Sequence, residues 1–276
     1  MLVMKNLLPL LSIVGFLSTV FATPLEKRAK AQVFRSCTVP NTVALTFDVK
    51  DDGPYIYMND LINTLNKENT ATTVRTPTSP LSFPKTNGPS YALSLFLFRD
   101  LGACIYNDDN IRNIKRAYDS GHQLGSHTWS HKDLTTLSWD QMHDEMWRVE
   151  QAILRITGAL PAFVRPPYGN YNDLVLEAAG ARGLTISNWD FDSEDGKAAS
   201  IDRQKGLYDA AVKAHPSTIL SLEHEVHATS VYEVLPYAIA KLRAAGYRFV
   251  TVAECLNMKP YQLVLPPSTK DASWKC

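Results

Sequence analysis

The chain has 276 residues, 45% of them hydrophobic, with 28 basic and 28 acidic side chains and a formal net charge of zero. That balance supplies no field to draw in nucleic acid or an anionic surface, so a neutral polymer or small molecule is the better-matched partner. The length suits one α/β domain with a sizeable core and leaves little room for two.

Lys5, an apolar run over residues 7–21 and the small-residue site Val20-Phe21-Ala22 predict a secretory signal over residues 1–22. Lys27-Arg28 resembles a dibasic processing site, so residues 23–28 read as a short pro-segment and 29–276 as the mature domain. The run is short and broken by Pro9, Ser12 and Ser18, which argues against a membrane anchor after cleavage. Cys37, Cys104, Cys255 and Cys276 suggest disulfides in a secreted chain, with three possible connectivities. A Cys37–Cys255 bond is preferred because it ties the first strand region to the end of the domain.

Residues 43–47 form a short β-prone run ending in acidic residues, and residues 56–68 space Ile56, Met58, Leu61, Ile62 and Leu65 as a helix does. A helix over 109–120 is stopped by Gly121, and residues 123–126 lead into a histidine pair. Residues 139–156 predict a long amphipathic helix capped by Ser138 and stopped at Gly158. Strand-like segments at 162–165, 184–189, 218–222 and 248–252 alternate with helical stretches at 172–181, 203–214 and 231–245. Such alternation predicts parallel strands with outer helices, an α/β barrel whose chemistry sits at the C-terminal ends of the strands. Residues 74–95, with Pro77, Pro80, Pro84 and Pro89, do not fit. A structureless insertion of about twenty residues is uncommon inside a compact domain. It is either an exposed loop or no part of the working protein. Deleting it would join Ala71-Thr72-Thr73 to Phe96-Leu97-Phe98, and the hypothesis is an unspliced intervening sequence or a gene-model error.

In His127-Thr128-Trp129-Ser130-His131 two imidazoles stand four residues apart, so they can converge on one side of a helical turn around a divalent metal. Thr128 stands where a zincin motif carries its glutamate, so the third ligand and the base come from elsewhere. Candidate stretches are Asp48-Val49-Lys50-Asp51-Asp52-Gly53-Pro54, Arg165-Pro166-Pro167-Tyr168-Gly169, Asp192-Ser193-Glu194-Asp195-Gly196 and Leu222-Glu223-His224. Singly, each is an ordinary turn or strand end.

Together and in this order they resemble the polysaccharide deacetylases, the NodB-homology family (carbohydrate esterase family 4), and look closest to its fungal chitin deacetylases. The resemblance covers residues 40–255, although the first motif carries three extra residues at 48–51, Gly196 replaces an aromatic, and Glu225 stands where Asp often follows. It implies a distorted (β/α) barrel and a secreted, metal-dependent deacetylase of chitin or chito-oligosaccharides. A peptidoglycan deacetylase, an acetylxylan esterase or an inactive polysaccharide-binding relative are the alternatives. By resemblance, Asp52, His127 and His131 hold Zn2+, with Co2+ or Ni2+ as substitutes. Asp51 is the preferred base, with Asp48 the alternative, and Arg165 pairs with the base. His224 is the acid, oriented by Asp192 or Asp195, and the Tyr168 backbone N–H helps stabilise the oxyanion. Trp129, Pro167, Tyr168 and Leu222 are expected to line the sugar site, in a chain that works as a monomer.

Overall fold

The computed structural model describes residues 29–49, 57–69, 94–97 and 104–276. In chain order its strands are β1 (Val33–Phe34), β2 (Thr42–Ala44), β3 (Thr46–Val49), β4 (Ser94–Leu97), β5 (Gln123–Ser126), β6 (Ala159–Pro161), β7 (Phe163–Val164), β8 (Thr185–Ser187), β9 (Phe191–Asp192), β10 (Thr218–His224), β11 (Arg248–Phe249) and β12 (Tyr261–Val264). The helices are α1 (Met58–Asn69), α2 (Asp108–Asp119), α3 (Trp139–Thr157), α4 (Asp173–Ala181), α5 (Ile201–Ala214), α6 (Leu235–Ala244) and the single turn α7 (Val252–Cys255).

The main sheet runs β1-β8-β7-β5-β4-β3-β10-β2-β11, with β9 beside β10. Every pairing in it is parallel. Among the described residues, only β6 and β12 pair antiparallel, outside this sheet. The central strands β3, β4 and β5 are buried along their whole length, as expected where both faces of a parallel sheet are covered.

Among the described residues no ladder joins β1 to β11, so the barrel is open there. The chain bridges that seam itself, because residues 35–41 pass directly from β1 to β2 at the other end of the path. Cys37 on this bridge is bonded to Cys255 of α7, and the Cys255 carbonyl accepts from the N–H groups of Thr38 and Val39 at 2.9 and 3.0 Å. A second disulfide, Cys104–Cys276, ties the C-terminus to the segment before α2. The adjacent contact between the Tyr106 and Trp274 rings, 5.3 Å apart, belongs to the same tie.

α3 shows how local sequence sets the boundaries. Ser138 and Gln141 form a reciprocal capping box at its start. Gly158 closes it at φ 81, where an added Cβ would lie 1.8 Å from the Leu265 carbonyl oxygen. Its inner face packs Met142, Met146, Val149 and Ile153 into the core.

Of the stretch over 74–95, Ser94 and Leu95 belong to β4, pairing with Thr46 and Phe47 on one side and with Gln123 and Leu124 on the other. These two residues fill the centre of the sheet. The remainder, like the signal and pro-segment over 1–28, falls outside the described residues.

Candidate active site

Parallel strands deliver their C-terminal ends to one rim, and the polar motifs converge there. Asp48 lies in β3, His127 follows β5, Arg165 follows β7, and His224 ends β10 directly opposite Asp48 in the ladder. Backbone bonds lock these ends together. The His127 N–H donates to the Leu97 carbonyl at 2.7 Å, and the Arg165 N–H donates to the Ser126 carbonyl at 2.8 Å.

Arg165 is wholly buried, and each arm of its guanidinium is used. Nη1 donates to Asp48 Oδ1 at 2.8 Å, Nε to the Ser187 carbonyl at 3.0 Å and Nη2 to the Asn188 carbonyl at 3.3 Å. The Phe96 ring lies beneath it, 4.3 Å from the guanidinium carbon. The other Asp48 oxygen stands 3.4 Å from His127 Nε2. Burial alone would push the Asp48 carboxyl up, but His127, Arg165 and, more distantly, His224 outweigh it and hold the group below the usual carboxylate range. A buried, ionised carboxylate beside an imidazole is the arrangement a general base requires. The guanidinium expected to pair with the base sits on Asp48, the alternative base; the preferred Asp51, like Asp52, lies outside the described residues.

His127 is buried, and its Nδ1 donates to the Arg165 carbonyl at 2.8 Å, which orients the ring with Nε2 towards Asp48. Burial pushes this imidazole down, against the pull of Asp48. The His131 ring lies 4.8 Å from it, edge to face. The two imidazoles do converge, but not on a helical turn. Residues 127–131 form a loop in which Thr128 and His131 take φ values of 70° and 52°. A β-branched residue at positive φ is strained, so the loop needs outside support. Glu145 of α3 supplies it, accepting from the N–H groups of Trp129 and Ser130 at 2.9 and 2.7 Å and from the Ser130 hydroxyl. The carbonyl-anchored imidazole with its Nε2 turned inward suits a divalent ion of zinc's borderline softness. Among the described residues no cluster of three metal-ligating side chains is assembled, and the expected carboxylate ligand, Asp52, lies outside them.

Across the rim, His224 Nδ1 bonds Asp195 Oδ1 at 2.8 Å. Asp195 Oδ2 accepts from the His224 backbone N–H at 2.7 Å and from the Ser230 hydroxyl at 2.9 Å. Burial would raise the Asp195 carboxyl, yet these bonds and the imidazole hold it low. Asp192 plays no part in orienting the ring. Its oxygens accept from the Glu194 N–H at 2.7 Å and from Lys197 at 2.8 Å, at the edge of the turn. Gly196, where the family carries an aromatic, presses its backbone against His224, and an added Cβ would stand 2.7 Å from ring Cε1. The His224 ring thus occupies the space a side chain at 196 would need.

Among the expected sugar contacts, Trp129 is corrected. Its ring is 3% exposed, packed into the main core with the Arg148 guanidinium 4.1 Å above it, and offers no free face for stacking. Pro167 and Leu222 are also buried and shape the wall. Tyr168 is 64% exposed at φ 60, with its ring edge-on to His131 at 5.0 Å, so it is the aromatic available at the rim. Sequence reasoning passed over Glu145 and Ser230. Glu145 left a trace, a carboxylate on the buried apolar stripe of an amphipathic helix.

Comparison with known proteins places the chain in a family. The family model for polysaccharide deacetylases matches residues 35–187. A chitin deacetylase of Pestalotiopsis sp. is 32% identical over 86% of this chain and 72% of its own length. The chain belongs to the polysaccharide deacetylase family. A probable peptidoglycan-N-acetylglucosamine deacetylase of Arthroderma benhamiae is 30% identical over 86% of this chain, though over only 48% of its own length. The solved chitin deacetylase of Colletotrichum lindemuthianum superposes with a TM-score of 0.70 at 27% identity, covering 84% of this chain and 94% of that one. The parallel sheet with surrounding helices is the family's NodB-type fold.

Proposed function

We propose that this deacetylase is secreted and removes N-acetyl groups from chitin or chito-oligosaccharides, using a bound divalent metal and releasing acetate and free amines. The observation that carries the reading is the opposition of two proton-handling pairs across one rim, Asp48 with Arg165 and His224 with Asp195. Asp48 is assigned as the base that takes the proton of the attacking water, held ionised by Arg165. His224, with the ionised Asp195 at Nδ1, is assigned as the acid that returns a proton to the leaving amine nitrogen. The Tyr168 backbone N–H is assigned to the tetrahedral oxyanion. His127, His131 and Asp52 would hold Zn2+, which when bound polarises the acetamide carbonyl and acidifies the attacking water.

A chitin-type substrate is supported by the likeness to two fungal chitin deacetylases. Secretion is supported by the signal-like residues 1–22 and by two disulfides, which persist in an oxidising compartment. No helix among the described residues is long and apolar enough to cross a membrane. Acetate release from chitin oligomers tests the proposal. Activity is expected to vanish with a chelator, to return with Zn2+, and to be lost in Asp52→Ala and His127→Ala. Activity that survives chelation and both substitutions refutes the site; a chain that binds oligomers without releasing acetate refutes the enzymatic reading.

A further inference from the structure

The loop carrying the two imidazoles is held from outside the known motifs, by one carboxylate of α3. We infer that Glu145 is a positioning residue that sets the distance and orientation between His127 and His131, an inference that rests on the metal-site reading above. Glu145 is 7% exposed and accepts three hydrogen bonds from two consecutive residues that lie between the histidines. Those donors are flanked by the two positive-φ residues, Thr128 and His131, whose strain persists only where the surroundings over-determine the backbone. Arg148, one turn further along the same helix, stacks on the Trp129 ring at 4.1 Å and adds a second hold on the loop. The base of the clamp is rigid, since Met142, Met146 and Val149 on the same face of α3 are fully buried. Removing the carboxylate leaves the strained loop free to relax, and the imidazole nitrogens then separate or rotate. Glu145 touches neither substrate nor metal; it acts through the histidines.

The test is the affinity of the full-length protein for Zn2+ alone, measured by competition with a chromophoric chelator, with folding checked by circular dichroism. Glu145→Ala is expected to weaken Zn2+ binding about 10–100-fold, the usual cost of losing support behind a ligand. Glu145→Gln keeps an oxygen for both N–H groups and an amide for the Ser130 oxygen, so it is expected to restore most of that affinity. Glu150→Ala is the control for mere destabilisation. Its carboxylate is buried in the same helix but pairs with Arg182 at 2.6 Å, away from the loop, and it should leave Zn2+ affinity unchanged. Ser130→Ala removes one of the three bonds and should weaken binding by a smaller factor; it serves if Glu145→Ala does not fold. A folded Glu145→Ala that binds Zn2+ as the parent does, or an equal loss in Glu150→Ala, overturns the clamp alone. A parent protein that binds no Zn2+ overturns the metal-site reading and the clamp with it.

Discussion

His127 and His224 anchor Nδ1 at the same 2.8 Å, but His127 donates to the Arg165 carbonyl whereas His224 bonds the Asp195 carboxylate. Their solvent access differs too: the His127 side chain is 2% exposed and that of His224 is 17% exposed. A carbonyl offers only a dipole, and burial pushes the His127 imidazole down. A carboxylate offers a full counter-charge to a protonated ring, which under the proposed function suits a proton donor. Under that reading, ligand and acid would differ in the acceptor behind the ring, not in the residue type.

Carboxylate removal at the dry end should have the largest effect. Asp48→Asn keeps the shape but leaves the Arg165 guanidinium buried without a counter-charge. Breaking a buried pair this way costs about 3–5 kcal/mol, read as a lower urea midpoint at unchanged slope. Under the proposed function it also removes the base and lowers kcat about 10²–10⁴-fold. A variant of parental stability would mean that Asp48 and Arg165 are not paired in solution, and the contrast between the two ends would fail.

Asp195→Asn probes the other end by giving His224 a neutral acceptor, as His127 already has. If His224 is the acid of the proposed function, its protonated ring loses a counter-charge, so kcat should fall by about 10²-fold and the alkaline limb of the pH profile should move to lower pH. The stability loss is expected to be smaller than in Asp48→Asn, because His224 can shed its proton whereas Arg165 cannot. A pH profile measured on chito-oligomers checks this. An unmoved alkaline limb would show that another group donates the proton.

Much of this geometry was legible in the residues because strand–helix alternation puts motif residues at strand ends, and Arg165, His127 and His224 all lie there. What escaped depended on packing that linear spacing does not encode. The spacing of His127 and His131 fits a helical turn as well as a loop with two left-handed residues, and nothing in Thr128 announces positive φ. Contiguity with Gly53-Pro54 favoured Asp51 as the base, yet the side chain reached by Arg165 is set by the register of β3 against its neighbours, and that is Asp48. Trp129 looked like a platform because it lies between the histidines; the Arg148 stack that turns it inward comes from a helix formed later in the chain. Asp192 and Asp195 were equivalent as letters. Only the turn after β9 decides that Asp195 faces His224 while Asp192 caps the backbone.

Glu223 extends the same contrast from imidazoles to carboxylates, and its expected effect is the smallest. Its neighbours on the far side of β10 are neutral donors, the Tyr208 hydroxyl and the Ser221 hydroxyl, the latter at 2.9 Å. With no cation in hydrogen-bond contact, burial, helped by the nearby Asp195 charge, pushes its carboxyl from 4.5 up to about 7 against the two hydroxyls and the more distant His224, while Asp195, which touches His224, is held low. A folded-state value raised above the unfolded one means that the native state retains a proton the unfolded chain has released. The stabilising contribution is therefore complete below pH 4.5 and is lost as pH rises through about 7. The loss amounts to at most roughly 3 kcal/mol, from the size of the shift. Glu223→Gln preserves an acceptor for both hydroxyls and carries no charge at any pH. Urea unfolding of both proteins at about pH 5 and about pH 8 should show the parent losing stability relative to the variant as pH rises, by up to that amount. Parallel stability curves would mean that a cation or water reaches Glu223 in solution, and neutral surroundings would then not be what distinguishes it from Asp195.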